Sequence, residues 1–251
     1  MPTLVLMRHG ATLWGQENRF AGWADTPLSD SGVKEAQDAT QSLAKLGLAF
    51  DTFFTSPLKR ARQTLEIVAE GKGRSIGNII SDWRLNERHY GALQGETREA
   101  MIERYGNQQV VAWRRSYAAV PPPLSAGDPR WQEQLQRLPD IAVDDQPRSE
   151  SMAMAALRVE PLWHTRMAPD LKAGKKLLVV AHTSSIRGLA RVIEGLSDEE
   201  AADFRIATAI PLIYLLDDDL KVLGRTDLSD GMVNNLRYWM NRLKPRRLGW
   251  I

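Results

Sequence analysis

Thr3-Leu4-Val5-Leu6-Met7-Arg8-His9-Gly10 opens the chain: a mostly apolar run delivers a guanidinium, an imidazole and a glycine. Far downstream Leu177-Leu178-Val179-Val180-Ala181 ends in His182 in the same manner. Short apolar runs bounded by breakers suit strands buried on both faces of a parallel sheet. Ligands of such sheets bind outside the carboxyl ends of the strands. Either histidine alone reads as an ordinary loop residue; the pair, delivered to one crevice, reads as a site.

Working outward, the spacing predicts a helix from about Ser31 to Gly47, with Val33, Ala36, Leu43, Ala44 and Leu46 as its apolar stripe. Phe50 to Thr55 reads as the next strand. Ser56-Pro57 supplies an N-cap followed by proline at a first helical position, and Leu58, Ala61, Leu65 and Val68 face inward from the helix that follows. Lys59 and Arg60 stand in that helix's first turn, where the dipole disfavours cations unless an anion arrives. A later strand at Leu212 to Leu216, an Asp217-Asp218-Asp219 turn and Lys221 to Leu223 suggest an edge hairpin. The alternation predicts an α/β fold: a doubly wound, mostly parallel sheet flanked by helices, with right-handed crossovers.

The expected organisation is one domain over residues 1–228, with a proline-rich insertion around 121–150 and a basic tail over 229–251. Six of the 13 prolines fall between Pro121 and Pro147, which predicts a long ordered loop or lid. Hydrophobic residues at 43% and charged residues at 25% are ordinary for a globular protein. With no apolar stretch near the roughly 20 residues of a membrane helix, and Met1-Pro2-Thr3 entering a strand directly, no leader or span is expected and cytoplasmic residence follows. The absence of cysteine excludes disulfides, thiol nucleophiles and zinc–thiolate sites. The net charge of +2 is unevenly spread: Lys221, Arg225, Arg237, Arg242, Lys244, Arg246 and Arg247 face only Asp227 and Asp230. Such a tail, bearing Trp239 and Trp250, reads as a solvated extension or subunit contact in preference to a nucleic-acid arm.

A pocket holding Arg8, His9, Arg60 and His182 would bind a phosphoryl group, because guanidinium groups grip phosphate through paired, charge-assisted hydrogen bonds. A neutral imidazole there attacks phosphorus and becomes phosphohistidine. The arginines would neutralise the equatorial oxygens, and no P-loop, His-Glu-x-x-His or EF-hand spacing is present. Glu87, within Leu85-Asn86-Glu87-Arg88-His89-Tyr90-Gly91, supplies a carboxylate for general acid–base work. Arg114 and Arg115 beside Trp113 suit the carboxylate or phosphate of a small ligand.

With these blocks in view, the chain resembles the cofactor-dependent phosphoglycerate mutases of the histidine phosphatase superfamily. The resemblance runs from Leu4 to about Leu223 through LVLMRHG, ENRFAGW, PLSDSGVKEA, TSPLKRA, LNERHYGALQG, ERYG, WRR and VVAH. It implies that His9 is the phosphorylated nucleophile, that Arg8, Arg60 and His182 line the phosphate pocket, and that Glu87 carries the proton. Thr12, Gly22, Tyr90, Arg98, Arg114, Arg115, Thr183 and Ser184 are the implied substrate-binding positions. The implied reaction, a step of glycolysis and gluconeogenesis, moves a phosphoryl group between the 2- and 3-positions of phosphoglycerate. It is primed by 2,3-bisphosphoglycerate, needs no metal, and is carried out by a homodimer or homotetramer.

This sequence departs from the family pattern at Ala11, Gly15, Ala21, Arg98 and Thr183-Ser184. The family typically places a glutamate or glutamine, an asparagine, a serine or threonine, a lysine and Gly-Asn there. Three readings therefore stand: the mutase, a histidine phosphatase acting on another phosphorylated metabolite, and a phospholigand-binding pseudoenzyme. The intact Arg8, His9, Arg60, Glu87 and His182 weigh against the last.

Overall fold

A computed structural model describes residues 2–71 and 78–228. The basic tail after Leu228, with its tryptophans, lies outside the described residues. Six strands form one sheet: β1 (Thr3–Arg8), β2 (Thr52–Thr55), β3 (Asn78–Ser81), β4 (Lys176–Ala181), β5 (Leu212–Leu216) and β6 (Val222–Asp227). Their order is β3-β2-β4-β1-β5-β6. The first four are mutually parallel, and β5 and β6 add an antiparallel edge. The sheet is thus mixed but mostly parallel, as the apolar runs predict. β3 was not legible, because Ile79-Ile80 alone, on an exposed edge, carries no period.

The helices are α1 (Leu13–Gln16), α2 (Asp30–Lys45), α3 (Lys59–Glu70), α4 (Arg98–Tyr105), α5 (Asn107–Arg115), α6 (Pro129–Arg137), α7 (Met152–Leu162), α8 (Ala168–Lys172), α9 (Thr183–Glu194) and α10 (Asp198–Asp203). Pro161 and Pro169 bracket a π-helical turn, Trp163–Met167, that links α7 to α8.

Alternation along the strands divides the core into two layers. Leu4, Leu6, Leu177, Val179 and Ala181 pack with Val159, Leu162, Ile186 and Leu189 of α7 and α9. Val5, Met7, Leu178 and Val180 pack with Ala39, Leu43, Leu65 and Val68 of α2 and α3. Period-2 side chains on doubly covered strands produce this sandwich. After β1 the chain crosses to β2, and after β4 it crosses the other way to β5, so the two histidines leave adjacent strands at a switch of direction.

Three local expectations change. The buried face of α2 runs through Gly32, Ala36, Ala39, Thr40 and Leu43, whereas Ala44 is exposed. α3 begins at Lys59, not Pro57: Ser56 Oγ accepts from the Leu58 N–H at 3.1 Å and holds Leu58 extended at ψ 133°. The proline-rich stretch is no bare loop. Asp128 caps Pro129 at the start of α6, which packs behind the site, and none of its residues lines the cavity that holds His9.

Candidate active site

The loop after β1 is pinned to the start of α2. Ala11 accepts from the Ser29 N–H at 2.9 Å and donates to Glu35 at 2.8 Å, while Gly10 donates to Thr64 of α3 at 3.1 Å. Gly10 and Gly32 touch so closely that a Cβ on either would overlap the other segment's backbone. The glycine after the histidine is therefore a packing requirement.

This clamp fixes the His9 ring. Its Nδ1 lies 2.7 Å from the Gly10 carbonyl, so Nδ1 carries the proton, and Nε2, accepting from Arg60 Nε at 3.2 Å, holds the free lone pair. Arg60 is 1% exposed and donates from Nη1 to the Ala24 carbonyl at 2.8 Å and from Nη2 to the Gly22 carbonyl at 2.7 Å, which leaves one N–H on each Nη. Burial, with Glu87 and Asp25 opposing and Arg8 and Arg137 assisting, lowers the Arg60 pKa to about 10. Burial and then the charges of Arg60 and Arg8 push the His9 pKa well below 6.5, against a smaller opposing effect of the Gly10 carbonyl. His9 is thus neutral and nucleophilic at Nε2.

His182 sits fully buried beneath the floor, its ring centroid 4.9 Å from that of His9. Neither ring nitrogen has a hydrogen-bond partner among the described residues, although Ser185 Oγ accepts from its backbone N–H at 3.2 Å. Burial, Arg60, His9 and Arg8 lower its pKa well below 6.5. A buried imidazole with unpaired ring nitrogens can hydrogen-bond an oxygen of a bound ligand.

A cavity of about 610 Å³ opens above these groups. Among the described residues nine arginines line it (Arg8, Arg19, Arg60, Arg88, Arg98, Arg114, Arg115, Arg187 and Arg205) against the carboxylates of Glu87 and Asp203. Thr12, Gly22, Tyr90, Thr183 and Ser184 also line it, so every expected site residue except the buried His182 reaches the wall. Arg8 Nε, Arg88 Nε and Nη1, and Arg98 Nε are buried without partners among the described residues. Burial and the neighbouring Arg98, Arg115 and Arg88, with Tyr90 opposing, lower the pKa of Arg114. Such crowding of cations suits an anion of several charges.

Thr12 differs from expectation in one respect: its Oγ1 accepts from the Gly15 N–H at 3.1 Å as the cap of α1. Glu87 Oε1 accepts from the Arg88 N–H at 2.8 Å and the Ser184 N–H at 3.2 Å. Burial raises the Glu87 pKa, but hydrogen bonds from Ser184 and Arg88 and the charges of Arg88 and Arg60 prevail and hold it below 4.5. Glu87 is therefore a ready base at neutral pH.

Sequence reasoning passed over Arg88, Arg187, Arg19 and Arg205. Arg88 stacks on Tyr90 at 4.6 Å and donates to the Tyr90 hydroxyl at 3.0 Å and the Arg114 carbonyl at 2.7 Å. Arg187 was available from spacing, since it lies four residues after Thr183 on the same face of α9.

An activated histidine, a carboxylate base and an arginine-lined cavity at the end of a doubly wound sheet define a phosphoryl-transfer site. The chain belongs to the histidine phosphatase superfamily, whose branch 1 family model matches residues 4–142. In particular, it is 45% identical over 233 residues to the 2,3-bisphosphoglycerate-dependent phosphoglycerate mutase of Nitratidesulfovibrio vulgaris, covering 93% of this chain and 94% of that protein. Among solved structures it is similar to mycobacterial glucosyl-3-phosphoglycerate phosphatase complexed with VO3: TM-score 0.65, 25% identity, 86% of this chain and 93% of that one. It shares its fold with the alpha-ribazole phosphatase of Shigella flexneri, at TM-score 0.65 and 20% identity over 90% of this chain and 96% of that one.

Proposed function

We infer that this protein is a 2,3-bisphosphoglycerate-dependent phosphoglycerate mutase that interconverts 3-phosphoglycerate and 2-phosphoglycerate through phosphohistidine at His9. The observation that carries the reading is the His9 ring, held by Gly10 with an unprotonated Nε2 facing Arg60, in a relative of a curated mutase over nearly its whole length. The cavity's nine arginines and two carboxylates fit a primer bearing two phosphates and a carboxylate.

His9 Nε2 attacks the phosphorus of the primer, the P–O bond breaks, and the departing phosphoglycerate oxygen takes a proton that the Glu87 carboxylate, ionised at rest, first gains from solvent. In the forward turn Glu87, ionised, removes the proton of the attacking hydroxyl while the phosphoryl group leaves His9. After the bisphosphate reorients, its other phosphoryl group is captured by His9 and Glu87 returns the proton. Arg8, Arg60 and His182 hold the transferring oxygens. The fixed positive charge of the two guanidinium groups needs no rearrangement as charge builds at phosphorus. Tyr90, Arg98, Arg114, Arg115, Thr12, Gly22, Thr183 and Ser184 hold the remainder of the substrate. A cytoplasmic homo-oligomer is the setting we propose. No helix among the described residues is long and apolar enough to cross a membrane.

The test is incubation with 3-phosphoglycerate and a trace of 2,3-bisphosphoglycerate. The reading expects 2-phosphoglycerate, dependence of its rate on the primer, and loss of both in His9→Ala. Release of free phosphate with no 2-phosphoglycerate would replace the mutase by a phosphatase.

A further inference from the structure

One side chain grips the backbone that carries Glu87. Arg158, on α7, donates from Nη1 to the carbonyls of Trp83 at 3.2 Å and Arg84 at 2.7 Å, and from Nη2 to those of Asn86 at 3.3 Å and Glu87 at 3.2 Å. Glu150 meets its charge through Nε–Oε1 at 2.7 Å and Nη2–Oε2 at 3.0 Å. The two side chains are only 7% and 3% exposed. Glu150 also accepts from the His89 N–H at 2.9 Å and donates its own N–H to the His89 carbonyl at 2.8 Å. The guanidinium lies 5.4 Å from the Trp23 ring and 5.7 Å from that of Trp83. Neither Arg158 nor Glu150 lines the cavity.

A buried ion pair does little for stability in itself, because desolvation offsets the attraction. Here four of the cation's acceptors are main-chain oxygens on the short segment that ends in Glu87. A planar fork fixes those oxygens in a way that a flexible ammonium cannot.

We propose that Arg158, neutralised by Glu150, is a positioning residue for proton transfer by Glu87. It sets the backbone from which the carboxyl reaches the substrate oxygen. The proposal rests on the reading of Glu87 as the proton carrier. When His9 takes a phosphoryl group from an alkyl phosphate, the N–P bond forms, the P–O bond breaks, and the alkoxide oxygen must receive a proton through Glu87, whose carboxylate takes it from solvent. When the donor is p-nitrophenyl phosphate, the same bonds form and break, but the phenolate leaves as a stable anion without that proton. A displaced Glu87 therefore slows the first transfer and spares the second, whereas general loosening of the fold slows both.

The experiment measures His9 phosphorylation by rapid quench from 2,3-bisphosphoglycerate and from p-nitrophenyl phosphate. It compares the wild-type protein with Arg158→Lys, Glu150→Gln and, as comparator, Glu87→Gln. Arg158→Lys should slow transfer from the bisphosphate roughly tenfold or more while transfer from p-nitrophenyl phosphate stays within about twofold. Glu150→Gln should show the same ratio in weaker form, and it carries the test alone should Arg158→Lys not fold. Equal slowing of both donors, or no slowing in a folded variant, overturns the proposal. A Glu87→Gln variant that fails to discriminate the donors overturns the proton-carrier reading and the proposal with it. Phosphorylation of His9 without formation of 2-phosphoglycerate removes the mutase reading, while the donor ratio still decides the role of Arg158.

Discussion

At His9 burial and two guanidinium groups act in one direction: they disfavour the imidazolium and keep Nε2 available. The second-order rate of His9 phosphorylation by p-nitrophenyl phosphate, which needs no proton through Glu87 and reports the free enzyme, should therefore stay level as pH falls below 6.5 and decline only well beneath it. A half-loss centred at 6.5 would contradict this. The same shifts make a stability prediction. His9 and His182 are held well below 6.5, and burial brings His89 to about 3, with the Gln134 hydrogen bond opposing. The unfolded chain binds those protons first, so the stability they contribute is full above 6.5 and is lost as pH falls from there toward the folded values. Melting temperature should begin to drop below 6.5, before carboxylates titrate. A flat curve down to the carboxylate range would refute it.

Among the elements, the start of α2 is the part that fixes the His9–Ala11 loop. Gly32 has no room for a side chain, because a Cβ would overlap the carbonyl oxygen of Ala11. Gly32→Ala gains up to about 1 kcal/mol of helix propensity but forces the His9–Ala11 loop away, an overpacking cost of about 1–3 kcal/mol. The net outcome should be a lower melting temperature together with slowed His9 phosphorylation; an active, stabilised variant would show that the contact is dispensable. This contact also marks the limit of sequence reading. LVLMRHG and LLVVAH disclose strands and histidines because apolar runs and breakers are local signals. That Gly10 meets Gly32, that Arg158 reaches four carbonyls around Glu87, and that α6 braces Trp23 through Arg137 at 2.8 Å are long-range facts. No spacing encodes them. β3 escaped for the opposite reason, being a short exposed edge with two apolar residues.

Over the whole molecule, the near-neutral chain brings nine arginines against two carboxylates into one cavity among the described residues. A focused field of this kind speeds the arrival of a multiply charged anion and is screened by salt. Raising ionic strength should lower kcat/KM for phosphoglycerate severalfold and leave kcat nearly level, since buried groups such as Arg60 are screened far less. An equal fall in both constants would place the salt effect in the chemical step. Beneath this lies the claim that the two strand-delivered histidines are a phosphoryl relay in which His9 alone is covalently charged. Intact-protein mass spectrometry after brief exposure to 2,3-bisphosphoglycerate tests it most directly. The account predicts one acid-labile phosphoryl group on the wild-type chain, mapped to His9, retained in His182→Ala at a slower rate of formation, and absent from His9→Ala. A phosphoryl group that persists in His9→Ala, or none on the wild-type chain, would contradict it.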